Sequence, residues 1–269
     1  MGELKTILNP DDQAQYQKIL DFMKEAGKRL VKVSGKIADI GVTKQFLTAE
    51  DLRIERGLGE IIKSFGDDHV LFAEEENDVI KEADDFWVVD PISGTESFIK
   101  GEGRYTIAVS HIHRGVGQFA AVYYPTADKF YTAYLGQGAR LNGRLIKVKK
   151  SDTSKPQVIL RVSKTWKDQD VVDKLRDLLV KYELVSYGGS DSMAISYCDV
   201  AEGFNNGIIS FNKDCFPQFA CGLIIREAGG EFTNLAGSSN LKPTDRVFIG
   251  GAKEIHPQLF SLVKEALDK

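Results

Sequence analysis

At 269 residues the chain is long enough to bury a sizeable core, as one large domain or two closely packed halves. A composition of 42% hydrophobic and 28% charged residues is that of a folded globular protein and excludes disorder as the default state. The net charge is −4, with Lys and Arg mixed among Asp and Glu, so no basic stripe is available to grip a phosphate backbone and no nucleic acid polymer is expected as a partner.

Tyr16, Ile19, Leu20, Met23, Ala26 and Leu30 recur at three-and-four spacing, which predicts an amphipathic first helix ending before Gly35. A second helix is predicted to start at Thr48-Ala49-Glu50-Asp51, read as a capping box. It carries Leu52, Ile54, Leu58, Ile61 and Ile62 and stops at Gly66. Strands are predicted at 69–73 and 86–90. Further β-type segments at 105–113, 118–124 and 129–134, with an Asn142-Gly143 turn, alternate with polar residues over short connections, which favours an antiparallel sheet. After the polar segment from Lys150 to Pro156 the pattern changes. Strands are expected at 158–162, 184–186, 208–211 and 247–250, and helices at 168–182, 192–201, 218–227 and 256–267. The reading is therefore an α+β fold, with an N-terminal half over 1–150 and a smaller α/β half over 151–269 packed behind it.

The run from Trp87 to Phe98 carries the chemistry. An apolar strand delivers Asp90 onto a Pro91-Ile92-Ser93-Gly94-Thr95 turn, and Gly-Thr there opens a possible helix. Such a turn can hold a divalent cation on the carboxylate while backbone N–H groups face an anion. Asp51, the Glu74-Glu75-Glu76 cluster, Asp90 and Thr95 can be assembled into one acidic site, whose hard oxygen donors suit Mg²⁺. Taken singly, these residues mean less: Glu74–Glu76 reads as a solvated loop and Asp51 as a capping residue. His111 and His113 alternate on one strand face and read as satisfied structural histidines. Gly136-Gln137-Gly138 reads as a turn, and Lys147-Val148-Lys149-Lys150 as a solvated strand end or loop.

Cys198, Cys215 and Cys221 have neither zinc-site spacing nor the density of a disulfide scaffold, so buried thiols in a reducing compartment are expected. The N-terminus lacks an apolar signal core and no apolar stretch approaches membrane-spanning length. A cytoplasmic chain without a membrane partner is expected. Gly2 with Thr6 meets the minimal myristoylation pattern, which fixes too few positions to stand apart from chance.

The chain resembles the inositol monophosphatase family of Mg²⁺-dependent phosphomonoesterases. The similar stretches are Leu47-Thr48-x-x-Asp51-x-x-x-Glu55, Ala73-Glu74-Glu75, Trp87 to Phe98, Gly138 to Gly143, Val200-Ala201-Glu202-Gly203, and Ile225-Arg226-Glu227-Ala228-Gly229-Gly230. The resemblance implies an α/β/α/β/α layered sandwich. It implies that Glu74, Asp90 and the Ile92 carbonyl hold a first metal ion, whose water is the nucleophile. Thr95 and Glu74 would orient that water, with Asp51 behind Thr95, so that Glu74, Thr95 and Asp51 form the catalytic set. Ser93, Gly94, Thr95 and Asp191 would face the substrate, although Asp191-Ser192 also reads as a helix N-cap. The continuation Glu96 to Gly101 is similar to branches acting on histidinol phosphate or nucleotide 3′-phosphates. Family members are commonly dimers, so a homodimer is expected.

Two positions depart from the family pattern. Ser93 stands where the family has an Asp that binds a second metal ion, and Phe216-Pro217 stands at its Trp-Asp pair. Asp90 is then the sole carboxylate left for that ion, and Asp214 could compensate only if its loop is displaced. Two readings follow. One is a phosphatase of a small phosphorylated metabolite with one tight metal ion. The other is a non-catalytic relative that binds a phosphorylated ligand or protein partner through the same cleft.

Overall fold

The computed structural model describes residues 10–42, 46–76, 83–150, 156–187 and 192–268. Helix α1, Pro10–Val33, turns Tyr16, Ile19, Met23, Ala26 and Leu30 inward, as their spacing requires. Helix α2, Ala49–Lys63, begins at the predicted capping box: Glu50 N–H donates to Thr48 Oγ1, and Thr48 N–H donates to Asp51 Oδ2 at 2.8 Å. An aspartate fills the reciprocal position usually held by Glu or Gln.

Strands β1, Val70–Ala73, and β2, Asp85–Ser93, pair in parallel. The six-residue helix α3, Thr95–Lys100, follows β2. Strands β3, Thr106–His113, β4, Val116–Tyr124, β5, Lys129–Tyr134, β6, Ala139–Leu141, and β7, Arg144–Leu145, then continue the sheet antiparallel in chain order. A second sheet has the order β11-β12-β10-β8-β9. Its members are β8, Gln157–Val162, β9, Val185–Tyr187, β10, Gly207–Phe211, β11, Glu231–Asn234, and β12, Val247–Gly251. Four helices lie among them: α4, Gln169–Lys181, α5, Met193–Ala201, α6, Phe216–Glu227, and α7, His256–Leu267.

Side-chain alternation along the strands sorts the core into three slabs. Trp87, Val89, Ile107, Val109, Phe119 and Ala121 pack on α1 and α2. Their sequence neighbours Val88, Ala108, Ala120 and Val122 face the other way, onto α5 and α6, where Ile159, Ile208 and Phe248 of the second sheet join them. Val158, Leu160, Ile209 and Ile249 turn outward again under α4 and α7. The layers therefore run helix, sheet, helix, sheet, helix. Two expectations needed adjustment. Helix α6 starts two residues before the predicted 218, because Pro217 fits the first turn of a helix, where its missing N–H has no intrahelical partner to lose. Strand β11, short and half polar, was not foreseen. The polar segment 151–155 lies outside the described residues.

Two family-like stretches are structural clamps. The Glu227 carboxylate accepts the N–H groups of Gly136 at 2.9 Å and Gly138 at 2.8 Å, tying the end of α6 to the turn before β6. Glu202 accepts from Tyr131 Oη and from Lys129 Nζ, fastening the end of α5 to β5. The three cysteines are buried and unpaired. Among the described residues, no helix is long and apolar enough to cross a membrane.

Gly27 on α1 marks the tightest approach of helix to sheet. A Cβ there would lie 2.3 Å from Tyr123 Cε1, and that ring is stacked on Phe130 and donates to Asp128. Alanine gains about 1 kcal/mol of helix propensity, yet displacing a packed aromatic ring costs about 1–3 kcal/mol. The clash should win, so Gly27→Ala should lower the midpoint of chemical denaturation.

Candidate active site

The site starts from strand pairing. The β1–β2 register couples Phe72 with Val88 and Ala73 with Val89, and Glu74 and Asp90 are the next residues along the two segments. Phe72 and Val88 face the middle helical layer. Asp90 lies opposite Ala108 of that same layer, and by strand alternation its side chain takes the same face as Val88. Asp90 is buried and Glu74 nearly so. The acidic run after β1 is more than a solvated loop: fully buried Glu55 accepts the N–H groups of Glu75 and Glu76, each at 2.9 Å. Glu76 then pairs outward with Arg56. This gives Glu55, a residue of the first family-like stretch, the role of positioning the loop that carries Glu74.

Beyond Asp90 the β2–β3 register slips before resuming at Ser93 and Thr106. Pro91 sits in that irregularity, where a missing N–H costs no ladder bond. Gly94 follows with φ 92°, and a Cβ on it would meet the backbone of Arg104 at 2.8 Å and of Ser192 at 3.0 Å, so only glycine fits. Thr95 opens α3, and its Oγ1 donates to the Ile92 carbonyl at 2.7 Å. The carbonyl keeps a second lone pair. Ser93 is buried, and the Ser192 hydroxyl donates to it at 3.0 Å while lying 3.0 Å from Thr106 Oγ1. Ser192 precedes α5 without capping it through its side chain, because its hydroxyl is used in this chain of three. Asp191 lies outside the described residues.

Asp51 is fully buried beneath the turn. Its Oδ2 accepts from Thr48 N–H at 2.8 Å and from Thr48 Oγ1 at 2.5 Å, while Oδ1 lies 3.5 Å from Thr95 Oγ1, the outer limit of a hydrogen bond. Burial, with Glu75 and Glu74 adding repulsion against the bonds from Thr48, pushes its carboxyl up to about 7. Asp51, Asp90, Thr95 and Glu74 are thus brought to one end of the first sheet.

One residue of this cluster was not foreseen. Lys213, on the loop between β10 and α6, places its Nζ 3.1 Å from Glu74 Oε1 and 3.4 Å from Asp214 Oδ2. Partial burial works against the charge, but Glu74, Asp214 and Asp90 outweigh it and hold the ammonium above the ordinary lysine range. Asp214 is thus paired with its own neighbour, Lys213. The Phe216 ring packs on Phe72 at 4.8 Å, and Pro217 lies in the first turn of α6. A basic residue beside an acid in a strand-to-helix loop was the available sequence signal for Lys213, and it is a weak one.

A second grouping, His69, Asp85 and His111, has ligand atoms within 4.8 Å of one another. It lies at the start of β2, about 16 Å along the strand from Asp90. Protons account for the His111 and His113 contacts, while His69 Nδ1, which also lies 3.1 Å from Asp85 Oδ1, cannot both accept from Trp87 and donate to Asp85. Tyr16 Oη can donate to His111 Nδ1 at 2.8 Å, and His111 Nε2 and His113 Nδ1 can donate to the two oxygens of Asp85 at 2.5 and 2.7 Å. Trp87 Nε1 donates to His69 Nδ1 at 3.2 Å. Burial lowers the pKa of His111, consistent with a neutral ring held between Tyr16 and Asp85.

The layered α+β arrangement of two sheets and intervening helices is a phosphatase-type fold. Residues 3–268 match the inositol monophosphatase family, and the chain belongs to it. It is 26% identical to a fructose-1,6-bisphosphatase/inositol-1-monophosphatase of Aquifex aeolicus over 262 residues, covering 94% of this chain and 97% of that one. It is also 26% identical to the Nus factor SuhB of Vibrio cholerae over 223 residues, covering 81% and 84%. A solved IMPase/NADP phosphatase complexed with Mg²⁺ and phosphate shares the fold with a TM-score of 0.78 at 22% identity, covering 93% of this chain and 95% of that one.

The Asp51 environment yields a pH prediction. An ordinary Asp loses its proton near pH 3.9, whereas folded Asp51 keeps it to about 7. Between those values the folded state binds the proton that the unfolded state releases, so stability falls as pH rises through the window. In metal-free buffer, wild type should lose stability relative to Asp51→Asn between pH 4 and 7, by up to about 4 kcal/mol. Denaturation at several pH values checks this, and parallel curves for the two proteins would contradict it.

Proposed function

We propose that the chain is a Mg²⁺-dependent phosphomonoesterase acting on a small phosphorylated metabolite of the inositol-phosphate, histidinol-phosphate or nucleotide 3′-phosphate type. The observation that supports this reading is that Glu74 and Asp90 follow directly on the paired β1 and β2 residues Ala73 and Val89, ahead of the Ile92-Ser93-Gly94-Thr95 turn. Two carboxylates and a carbonyl with a lone pair to spare are hard oxygen donors of the kind Mg²⁺ takes. The names of the Aquifex relative and of the structural neighbour with Mg²⁺ and phosphate support the same reading.

Mg²⁺, when bound, supplies a Lewis acid that makes water a better nucleophile and offsets the charge of the phosphate. The chain does the rest. Glu74, Asp90 and the Ile92 carbonyl would hold the ion. Glu74 and Thr95 orient the attacking water, and Asp51 supports Thr95 from behind. The N–H groups of Gly94 and Thr95 take phosphate oxygens, with Ser93 on the substrate side. Water attacks phosphorus directly, the ester oxygen leaves with a proton, and no phosphoenzyme forms.

A second reading, favoured by Ser93, Pro217 and the Nus-factor relative, is a protein that binds a phosphorylated ligand or a protein partner through the same cleft without turnover. Phosphate release from a panel of phosphomonoesters with Mg²⁺ or Mn²⁺ separates the two. The phosphatase should turn over, and Asp90→Asn should lower kcat/KM by about 100-fold or more, as expected for loss of a metal-binding carboxylate. A silent wild type beside an active Ser93→Asp/Pro217→Asp double variant would establish the second reading.

A further inference from the structure

The departures at 93 and 217 leave a two-ion site short of acid, and the same cleft contains an ammonium that family-like motifs did not announce. Lys213 Nζ is 3.1 Å from Glu74 Oε1 and 3.4 Å from Asp214 Oδ2, and it feels Asp90 as well. The ammonium therefore lies among the carboxylates at the strand ends. Its loop leads directly into α6, whose first turn holds Pro217 where the family pattern has an acid.

Charge decides what such a cleft can accept. Glu74, Asp90 and Asp214 bring three negative charges, and Lys213 returns one positive. One divalent cation then neutralises the cluster. A second would leave it strongly positive before any phosphate arrived, and it would sit against an ammonium already seated on Glu74. Ser93 cannot relieve this, because its hydroxyl is engaged with Ser192 and carries no charge. A lysine ammonium, on the other hand, is a compact charge with three donors on a flexible stem, well suited to a phosphate oxygen. About half of the Lys213 side chain remains open to solvent, so it can reach an incoming anion without first being uncovered.

We propose that Lys213 is the built-in cation of this cleft: it takes the place of a second metal ion, limits the site to one divalent cation and binds the phosphate of the substrate directly. The proposal rests on the reading of this cleft as a phosphate site. Lys213 then does for the phosphate, through hydrogen bonds, part of what a second ion does through coordination. It makes the site's demand for free Mg²⁺ a one-ion demand.

Calorimetric titration of the full chain with Mn²⁺ alone, and of the Mn²⁺-loaded chain with inorganic phosphate, tests this without reference to turnover. Wild type should bind one Mn²⁺ per chain. Lys213→Met and Lys213→Gln should bind Mn²⁺ at least about tenfold more tightly, the order expected for removing a neighbouring like charge from a partly screened site. The same two variants should bind phosphate about tenfold more weakly, while Lys213→Arg keeps wild-type phosphate affinity to within a few-fold. Two neutral variants guard against one that misfolds, and thermal melts confirm which are folded. Tight binding of two Mn²⁺ by wild type, or neutral variants that bind Mn²⁺ and phosphate as wild type does, would overturn the role of Lys213 and leave the phosphatase reading standing. A wild type that binds neither Mn²⁺ nor phosphate would overturn both.

Discussion

Two carboxylates at the ends of neighbouring parallel strands repel each other unless a cation stands between them, and the site is organised around that constraint. The β1–β2 pairing ends at Ala73 and Val89, and Glu74 and Asp90 are the residues that follow on the two segments. At a strand spacing of about 4.8 Å, two like charges in a poorly solvated place cost several kcal/mol if left uncompensated. Three features of the cleft answer this. Glu55 fixes the backbone after Glu74, Lys213 brings positive charge from a loop between sheet and helix, and the raised pKa of Asp51 lets it stay neutral underneath.

Much of this was legible because it is local. The Thr48-to-Asp51 box, the stop before Gly35, the Asn142-Gly143 turn and the apolar strand running into Asp90 depend on residues a few places apart, and they fold as their spacing implies. The acid cluster could be assembled from sequence only because several local patterns coincide with one family. Lys213 was not legible. Its partner Glu74 is 139 residues away, and the adjacent acid Asp214 is too weak a mark to set Lys213 apart from a solvated lysine. The Glu227 clamp on Gly136 and Gly138 was hidden for the same reason. Likewise, Glu55 reads as one more helix-surface acid until the loop it holds is folded over it.

The histidines illustrate the opposite error that composition invites. Three imidazoles around Asp85 look like a metal centre when only their spacing is counted. Counting protons changes the view: Tyr16, His111, His113 and Asp85 form a hydrogen-bonded chain with matching donors and acceptors. The Glu74–Asp90 end offers carboxylates and a carbonyl without imidazole, which is the chemistry a hard cation prefers. Two metal-like clusters on one strand are thus distinguished by ligand type.

Ser93, Pro217 and Lys213 are best understood as one physical change. Losing an acid at 93 alone would leave a small buried polar gap, and here the Ser192–Thr106 hydroxyls close it. Losing an acid at 217 alone would weaken a cation site that the rest of the cleft still demanded. Proline there instead starts α6 early, ahead of Gln218, directly after the loop that carries Lys213. On the proposed reading, the ammonium stands in for a second divalent ion, and Glu74, Asp90 and Asp214 would share one ion and one lysine. On that proposal, two departures that look like decay in the linear sequence are, in three dimensions, the exchange of a borrowed cation for one encoded in the chain.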